Sequence, residues 1–195
     1  MRQSEINRKT KETDIKVQIT IDGTGIYQID TGIGFLNHML ELFAAHGRFD
    51  LNILSVGDLD VDAHHTVEDV AITLALAFKE ALGSKRGIKR YGQRLLPMDE
   101  TLVLCAVDLS GRAFLNFDVT IPVQKVGNFD TELILEFMTA FSRELGLNVH
   151  LVMMRGENGH HIIEAIFKAL GRALAEAVTV DSRFADEIPS TKGML

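Results

Sequence analysis

One order of elements is written twice along this chain, and that repetition restricts the fold more than any other feature of the sequence. In the first half Ile15, Val17, Ile19 and Ile21 alternate with Lys16, Gln18 and Thr20, the period of a half-buried strand. The turn Asp22-Gly23-Thr24-Gly25 lets residues 26–30 return as a second strand. Phe35, Leu36, Met39, Leu40, Leu42 and Phe43 then recur at helical spacing, with Gly47 placed to cap the end. Residues 51–56 read as a strand, and an Ala- and Leu-rich helix follows over residues 67–82, closed by Gly83. In the second half residues 102–109 form a strand, Ser110-Gly111 a turn, and Phe117, Val119 and Ile121 alternate in another strand. Leu133, Ile134, Phe137, Met138 and Phe141 mark a helix ending near Gly146, residues 149–154 a strand, and Ile162, Ile163, Ile166, Phe167, Leu170, Ala173 and Leu174 a last helix.

Both halves therefore read β-β-α-β-α, joined near residues 84–97. The expectation is a duplicated α+β fold, with 1–90 as the first half-repeat and 91–195 as the second, together one catalytic unit. One strand set cannot bury both of its faces alone, so the halves should pack on each other, with sheets on one side and helices on the other.

At the head of the last helix of each half stands one short string, His-His-x-x-Glu: His64-His65-Thr66-Val67-Glu68 and His160-His161-Ile162-Ile163-Glu164. Positions four apart share a helix face, so His64 with Glu68, and His160 with Glu164, can each grip one metal ion. His65 and His161 sit about 100° round the helix from their neighbours and are better placed for a second ion. A lone copy is more often an ion pair or a surface feature. Two copies at one place in two repeats argue otherwise, because chance surface histidines scatter. His38, near the start of the first helix, and Glu136, at the corresponding place in the second half, are both ligand types, and each could equally be an edge residue facing water. Imidazole and carboxylate without thiolate suit Mn, Fe, Co or Zn. The chain's one cysteine, Cys105, lies in a strand and cannot make an intrachain disulfide, which fits a reducing compartment.

Hydrophobic residues make up 46% and charged residues 24%, a globular balance that excludes a disordered chain. A net charge of −7 argues against general nucleic-acid binding, which needs a basic field. The first residues are polar, without the apolar segment of a signal peptide, and no apolar run approaches the roughly 20 residues of a membrane span. A cytoplasmic protein is expected. Within this acidic chain Arg90, Arg112, Lys168, Ser190 and Lys192 are candidate phosphate binders. For most of them a solvated surface charge is the simpler reading. Lys168 differs, because it stands one turn beyond Glu164 on the same face.

The strings Thr31-Gly32-Ile33-Gly34-Phe35-Leu36-Asn37-His38-Met39-Leu40, residues 62–69, Asp108-Leu109-Ser110-Gly111-Arg112 and Gly156-Glu157-Asn158-Gly159-His160-His161-Ile162-Ile163-Glu164-Ala165 closely resemble the imidazoleglycerol-phosphate dehydratase family, nearly end to end. The resemblance implies a fold like ribosomal protein S5 domain 2 and a hydro-lyase of histidine biosynthesis. It implies two Mn²⁺ per active site at subunit interfaces, in shells of 24 chains. Carried over position by position, it makes His38, His64, His65, Glu68, Glu136, His160, His161 and Glu164 the ligands, with His150 as the alternative to Glu136. Arg90, Arg112, Lys168, Ser190 and Lys192 would hold the phosphate, and Glu12 and His46 would lie close to the substrate.

The implied reaction removes water from D-erythro-imidazoleglycerol phosphate to give imidazoleacetol phosphate. The carbon that loses its proton is not next to a carbonyl, so the imidazole must supply the electrons, as a metal-stabilised imidazolate. Glu12, Glu68 and Glu164 are the candidate catalytic carboxylates, with Glu12 or Glu164 moving protons. Two rival readings are a metal-storage or structural metal-binding shell, which leaves the phosphate-type residues unexplained, and a dinuclear metal hydrolase, which would release phosphate.

Overall fold

The computed structural model of the chain describes residues 1–193 and 195. The expected order occurs in both halves, each preceded by one further strand. The first half runs β1 (Gln3–Lys9), β2 (Thr13–Thr20), β3 (Tyr27–Asp30), α1 (Gly34–Gly47), β4 (Asp50–Gly57) and α2 (His64–Leu82). The second runs β5 (Tyr91–Met98), β6 (Thr101–Asp108), β7 (Phe114–Asp118), the short hairpin β8 (Lys125–Val126) and β9 (Phe129–Asp130), α3 (Leu133–Leu145), β10 (Asn148–Arg155) and α4 (Gly159–Ala177). The added strands, β1 and β5, are both edge strands, in sheets ordered β1-β2-β4-β3 and β5-β6-β10-β7. Edge strands carry charge and proline rather than apolar alternation. β1 has one large apolar residue, Ile6, and β5 contains Pro97. β7 ends at Asp118, so Val119 and Ile121, expected to extend it, lie beyond it and pack against the core as loop residues.

The two sheets share one topology. β1 with β2, and β2 with β4, are antiparallel, while β3 and β4 are parallel and are joined through α1. β5, β6, β10 and β7 repeat this. Along β2 and β6 alternate residues are buried: Ile15, Val17 and Ile19 in one, Val103, Cys105 and Val107 in the other. The sheets do not lie on one side with the helices on the other, the arrangement expected from the sequence. The helices form a middle layer, in which α1 packs on α4 and α2 on α3, while α2 also lies on β1 and β2, and α4 on β5 and β6. Each sheet has one apolar face, so a shared helical filling covers both faces at once. Core burial is continuous through this layer, from Leu36, Met39 and Phe43 to Phe137, Phe141, Ile166 and Phe167.

The α1–α4 contact is made by glycines. A methyl group on Gly171 would stand 2.6 Å from the Phe43 carbonyl oxygen, and one on Gly47 would stand 3.1 Å from the Gly171 carbonyl oxygen and strike the Phe49 ring. Gly47 thus serves close packing, whereas the expected left-handed cap falls one residue later, on Arg48 (φ 59°). Cys105 is fully buried in β6, and burial pushes its thiol far above the ordinary range. A water-soluble thiol reagent is therefore expected to label no cysteine in the native protein and one equivalent after denaturation. Labelling of the native protein at a free-thiol rate would contradict this packing.

Candidate metal centre

The helix layer brings residues of the two repeats together. α1 carries His38, and α4 begins at Gly159, where the Asn158 side chain accepts hydrogen bonds from the backbone N–H of His160 (2.9 Å) and His161 (3.5 Å). This cap fixes the first turn of α4, and with it both histidines. Glu164, one turn on, is buried. Its Oε2 lies 3.4 Å from His38 Nε2 and 3.2 Å from His160 Nε2, and its other oxygen pairs with Lys168. Ligand atoms of His38, His160 and Glu164 all lie within 4.8 Å of one another. The Phe35 ring meets the His160 ring edge-on at 5.3 Å, which holds the imidazole in place. Burial pushes the Glu164 carboxyl up, but the bonds from Lys168, His38 and His160 outweigh it and hold the group below the usual carboxylate range.

The second histidine of each pair turns away from the first. Ring centroids are 6.3 Å apart and nearly perpendicular in both copies, 88° for His64 and His65 and 82° for His160 and His161. His65 Nδ1 lies 3.0 Å from Asp58 Oδ2 and 3.9 Å from Glu12. His161 Nδ1 lies 2.8 Å from Glu100 Oε2, with its Nε2 3.8 Å from Asp99. Bonding to Asp58 raises the His65 pKa, and bonding to Glu100 raises that of His161. His161, with the backbone N–H of Asn158, holds Glu100 far below the ordinary range. Sequence reading missed Asp58 and Glu100. A signal was available: Glu12-Thr13 and Glu100-Thr101 are one dipeptide at the head of equivalent strands.

Other candidates stand apart. Glu68 on α2 lies 3.6 Å from Arg143 of α3, and His64 is tied by its backbone N–H to Asp62 (2.7 Å). His64, Glu68 and Glu136 do not form a group of converging ligand atoms among the described residues. His150 lies on the outer face of β10 with its ring 5.4 Å from Phe114, away from the helix layer. His46 is eight residues beyond His38 on α1, about 12 Å along the axis. Its Nδ1 accepts from Arg172 Nε (3.3 Å), and burial, then the Arg172 charge, lowers its pKa.

The phosphate candidates gather mostly at the far end of β6. Arg90 donates to Asp108 through Nε (2.6 Å) and Nη2 (3.1 Å), and to the Pro189 carbonyl through Nη1 (3.0 Å). It thereby ties the tail bearing Ser190 and Lys192 to the end of β6. Ser190 Oγ accepts from the Lys192 backbone N–H (3.2 Å), and the Arg112 backbone N–H donates to Ser110 Oγ (3.4 Å) in the turn after β6. Glu100 and Asp108 flank a strand length of about 26 Å. Within one chain, then, Lys168 stands at the histidines while Arg90, Arg112, Ser190 and Lys192 stand at the other end of the sheet. A cleft of about 510 Å³ on the outer face of the first sheet, among Glu5, Gln18, Gln28 and Asn52, contains none of these residues.

Fold and site together define a duplicated α+β chain whose middle helices carry imidazole and carboxylate side chains near their heads. Residues 31–174 match the family model described as imidazoleglycerol-phosphate dehydratase. An imidazoleglycerol-phosphate dehydratase of Thermoanaerobacter sp. (strain X514) is 56% identical over 195 residues, covering all of both chains. The crystal structure of the Staphylococcus aureus imidazoleglycerol-phosphate dehydratase superposes with a TM-score of 0.84 at 41% identity, covering 92% of this chain and 99% of that one. A Pyrococcus furiosus IGPD structure, a complex with (S)-C348, gives 0.84 at 39% identity, covering 97% and 100%. The chain belongs to the imidazoleglycerol-phosphate dehydratase family and is an enzyme, a hydro-lyase.

Proposed function

We propose that this dehydratase of histidine biosynthesis converts D-erythro-imidazoleglycerol phosphate to imidazoleacetol phosphate with two Mn²⁺ per active site. The observation carrying the metal reading is the convergence of His38, His160 and Glu164 from two repeats within 4.8 Å. Two imidazoles and an ionised carboxylate fit a divalent ion of the Mn–Zn series, and the fully buried Cys105 is no competing thiolate. His64, His65, Glu68, Glu136 and His161 would complete the ligand set. When bound, the ions supply Lewis acidity to the imidazole ring of the substrate.

The chain's own groups account for the rest. Glu164 stays ionised beside Lys168 and would act as a ligand or proton acceptor from that charged state. Glu12 is half exposed beside His65, where it can take a proton from a substrate carbon and return one. Arg112, Lys168, Ser190 and Lys192, with Arg90 fixing the tail, would clamp the phosphate and orient the ring. The separation of these groups from the histidines within one chain supports a site completed by neighbouring chains. Exposed apolar residues on the outer sheet faces, Leu54 and Val56 on one and Tyr91, Leu95, Phe114 and Met154 on the other, supply surface for self-association, read here as a 24-subunit shell. No helix among the described residues is long and apolar enough to cross a membrane.

The test is turnover of imidazoleglycerol phosphate by protein stripped with chelator and reloaded with Mn²⁺. Ketone that forms only after reloading is the expected result. Ketone formation by fully stripped protein would remove the metal from the reading. Free phosphate would point to a hydrolase, and retention of Mn²⁺ without product to storage.

A further inference from the structure

Each repeat contains one histidine whose Nδ1 is engaged by a carboxylate from a loop at a strand end. In the first it is His65 with Asp58, at 3.0 Å. In the second it is His161 with Glu100, at 2.8 Å. An ionised carboxylate only accepts, so Nδ1 is the nitrogen that donates, and in the neutral ring this leaves the lone pair on Nε2. Both carboxylates are themselves anchored. Glu100 Oε1 accepts from the backbone N–H of Asn158 (2.9 Å) and Glu157 (3.3 Å) and from Thr101 Oγ1 (3.0 Å). Asp58 is held by its backbone, its N–H donating to the Glu12 carbonyl (3.1 Å) and its carbonyl accepting from Val61 (2.9 Å). Its second oxygen, Oδ1, is buried with no hydrogen-bond partner among the described residues.

The two copies reach the same end by different residues. Glu12 and Glu100 are equivalent, each directly before the threonine that opens β2 or β6. Yet His65 takes its partner from the longer β4–α2 loop, whereas His161 takes Glu100. Glu12 is left half exposed, 3.9 Å from His65 Nδ1.

We propose that Asp58 and Glu100 are positioning residues, which hold the His65 and His161 rings in the Nδ1–H form so that each Nε2 faces outward as a ligand for a divalent ion. This rests on the metal reading above. Outer carboxylates of this kind fix ring orientation and raise ligand basicity, and losing one typically costs about 10–100-fold in metal affinity. In the first repeat Asp58 orients the histidine, which leaves Glu12 free of the role that its counterpart Glu100 performs in the second.

The experiment measures Mn²⁺ affinity of the assembled protein by competition with a chromophoric chelator, together with the electron paramagnetic resonance spectrum of bound Mn²⁺. The variants are Asp58→Asn and Glu100→Gln. The controls are Asp60→Asn and Glu157→Gln, which remove the same charge from the neighbouring loops without touching Nδ1. Expected are affinities about 10–100-fold weaker in the first pair, with an altered spectrum, and wild-type values in the controls. Circular dichroism and melting temperature identify a variant that has lost its fold, for which Asp58→Glu and Glu100→Asp give the reading instead. Equal affinity and spectrum in all folded variants overturn the proposal, as does equal weakening in the controls, which would make the effect one of charge alone. A wild-type protein that binds no Mn²⁺ overturns the metal reading itself.

Discussion

Glu164→Gln is expected to lower turnover by about 10²–10⁴-fold, the range of a lost acid–base group, while leaving the fold intact. Gln has the shape of Glu, so the packing at the head of α4 is kept. What goes is the anion. Glu164 faces His38 Nε2, His160 Nε2 and Lys168 at once, and no other described residue joins those three. Without the charge, the two imidazoles lose a ligand partner and the Lys168 ammonium loses its counter-ion. Mn²⁺ bound per chain should fall, and the ratio measured by elemental analysis after gel filtration checks it. A variant with full turnover and full metal content would remove Glu164 from the centre.

Gly171→Ala is expected to destabilise the protein by about 1–3 kcal/mol and to weaken Mn²⁺ binding with it. The added methyl would stand 2.6 Å from the Phe43 carbonyl oxygen. That atom is helix backbone and cannot rotate aside, so α1 must move away from α4. These are the helices that carry His38 on one side and His160 with Glu164 on the other. For a chain of this length each kcal/mol shifts the melting temperature by roughly 2–4 °C. Gly34→Ala is the comparison, because it opens α1, the other helix of the pair, and nothing lies within 4 Å of a methyl there. Its melting temperature should stay within about 1–2 °C of wild type, consistent with a surface change below about 0.5 kcal/mol. If Gly171→Ala melts and binds metal like wild type, the glycine contact does not set the spacing of the centre.

Much of this architecture is legible in the residues, for physical reasons. The buried strands β2, β4, β6 and β10 announce themselves because one face of each packs on helices, which forces alternation. The helices do so because each shows an apolar stripe to the middle layer. β1 and β5 are silent because β1 buries no residue and β5 only Gly92 and Leu96, too few to set an alternation. The middle position of the helices was also hidden, since an apolar stripe shows that a face is covered but not by what. In the site, the His-His-x-x-Glu strings point to the helix heads because helical spacing is local. The meeting of His38 with Glu164 is not local, and no spacing rule connects them. Asp58 and Glu100 escape for a similar reason: an orienting carboxylate is defined by what it touches, and loops carry acidic residues for many purposes.

The centre is assembled from helices at the two ends of the sequence, and this sets when it can exist. His38 and Glu164 are 126 residues apart. At a synthesis rate of about 5–20 residues per second, roughly 6–25 s separate the emergence of His38 from that of Glu164. During that interval the nascent chain has His64 and His65 but no α4 to close the group around His38. A product truncated before Gly159 lacks His160, His161 and Glu164 and the helix that α1 rests on. On the metal reading proposed above, retention of an ion would require a chain that includes α4, and a product truncated before Gly159 would hold none firmly.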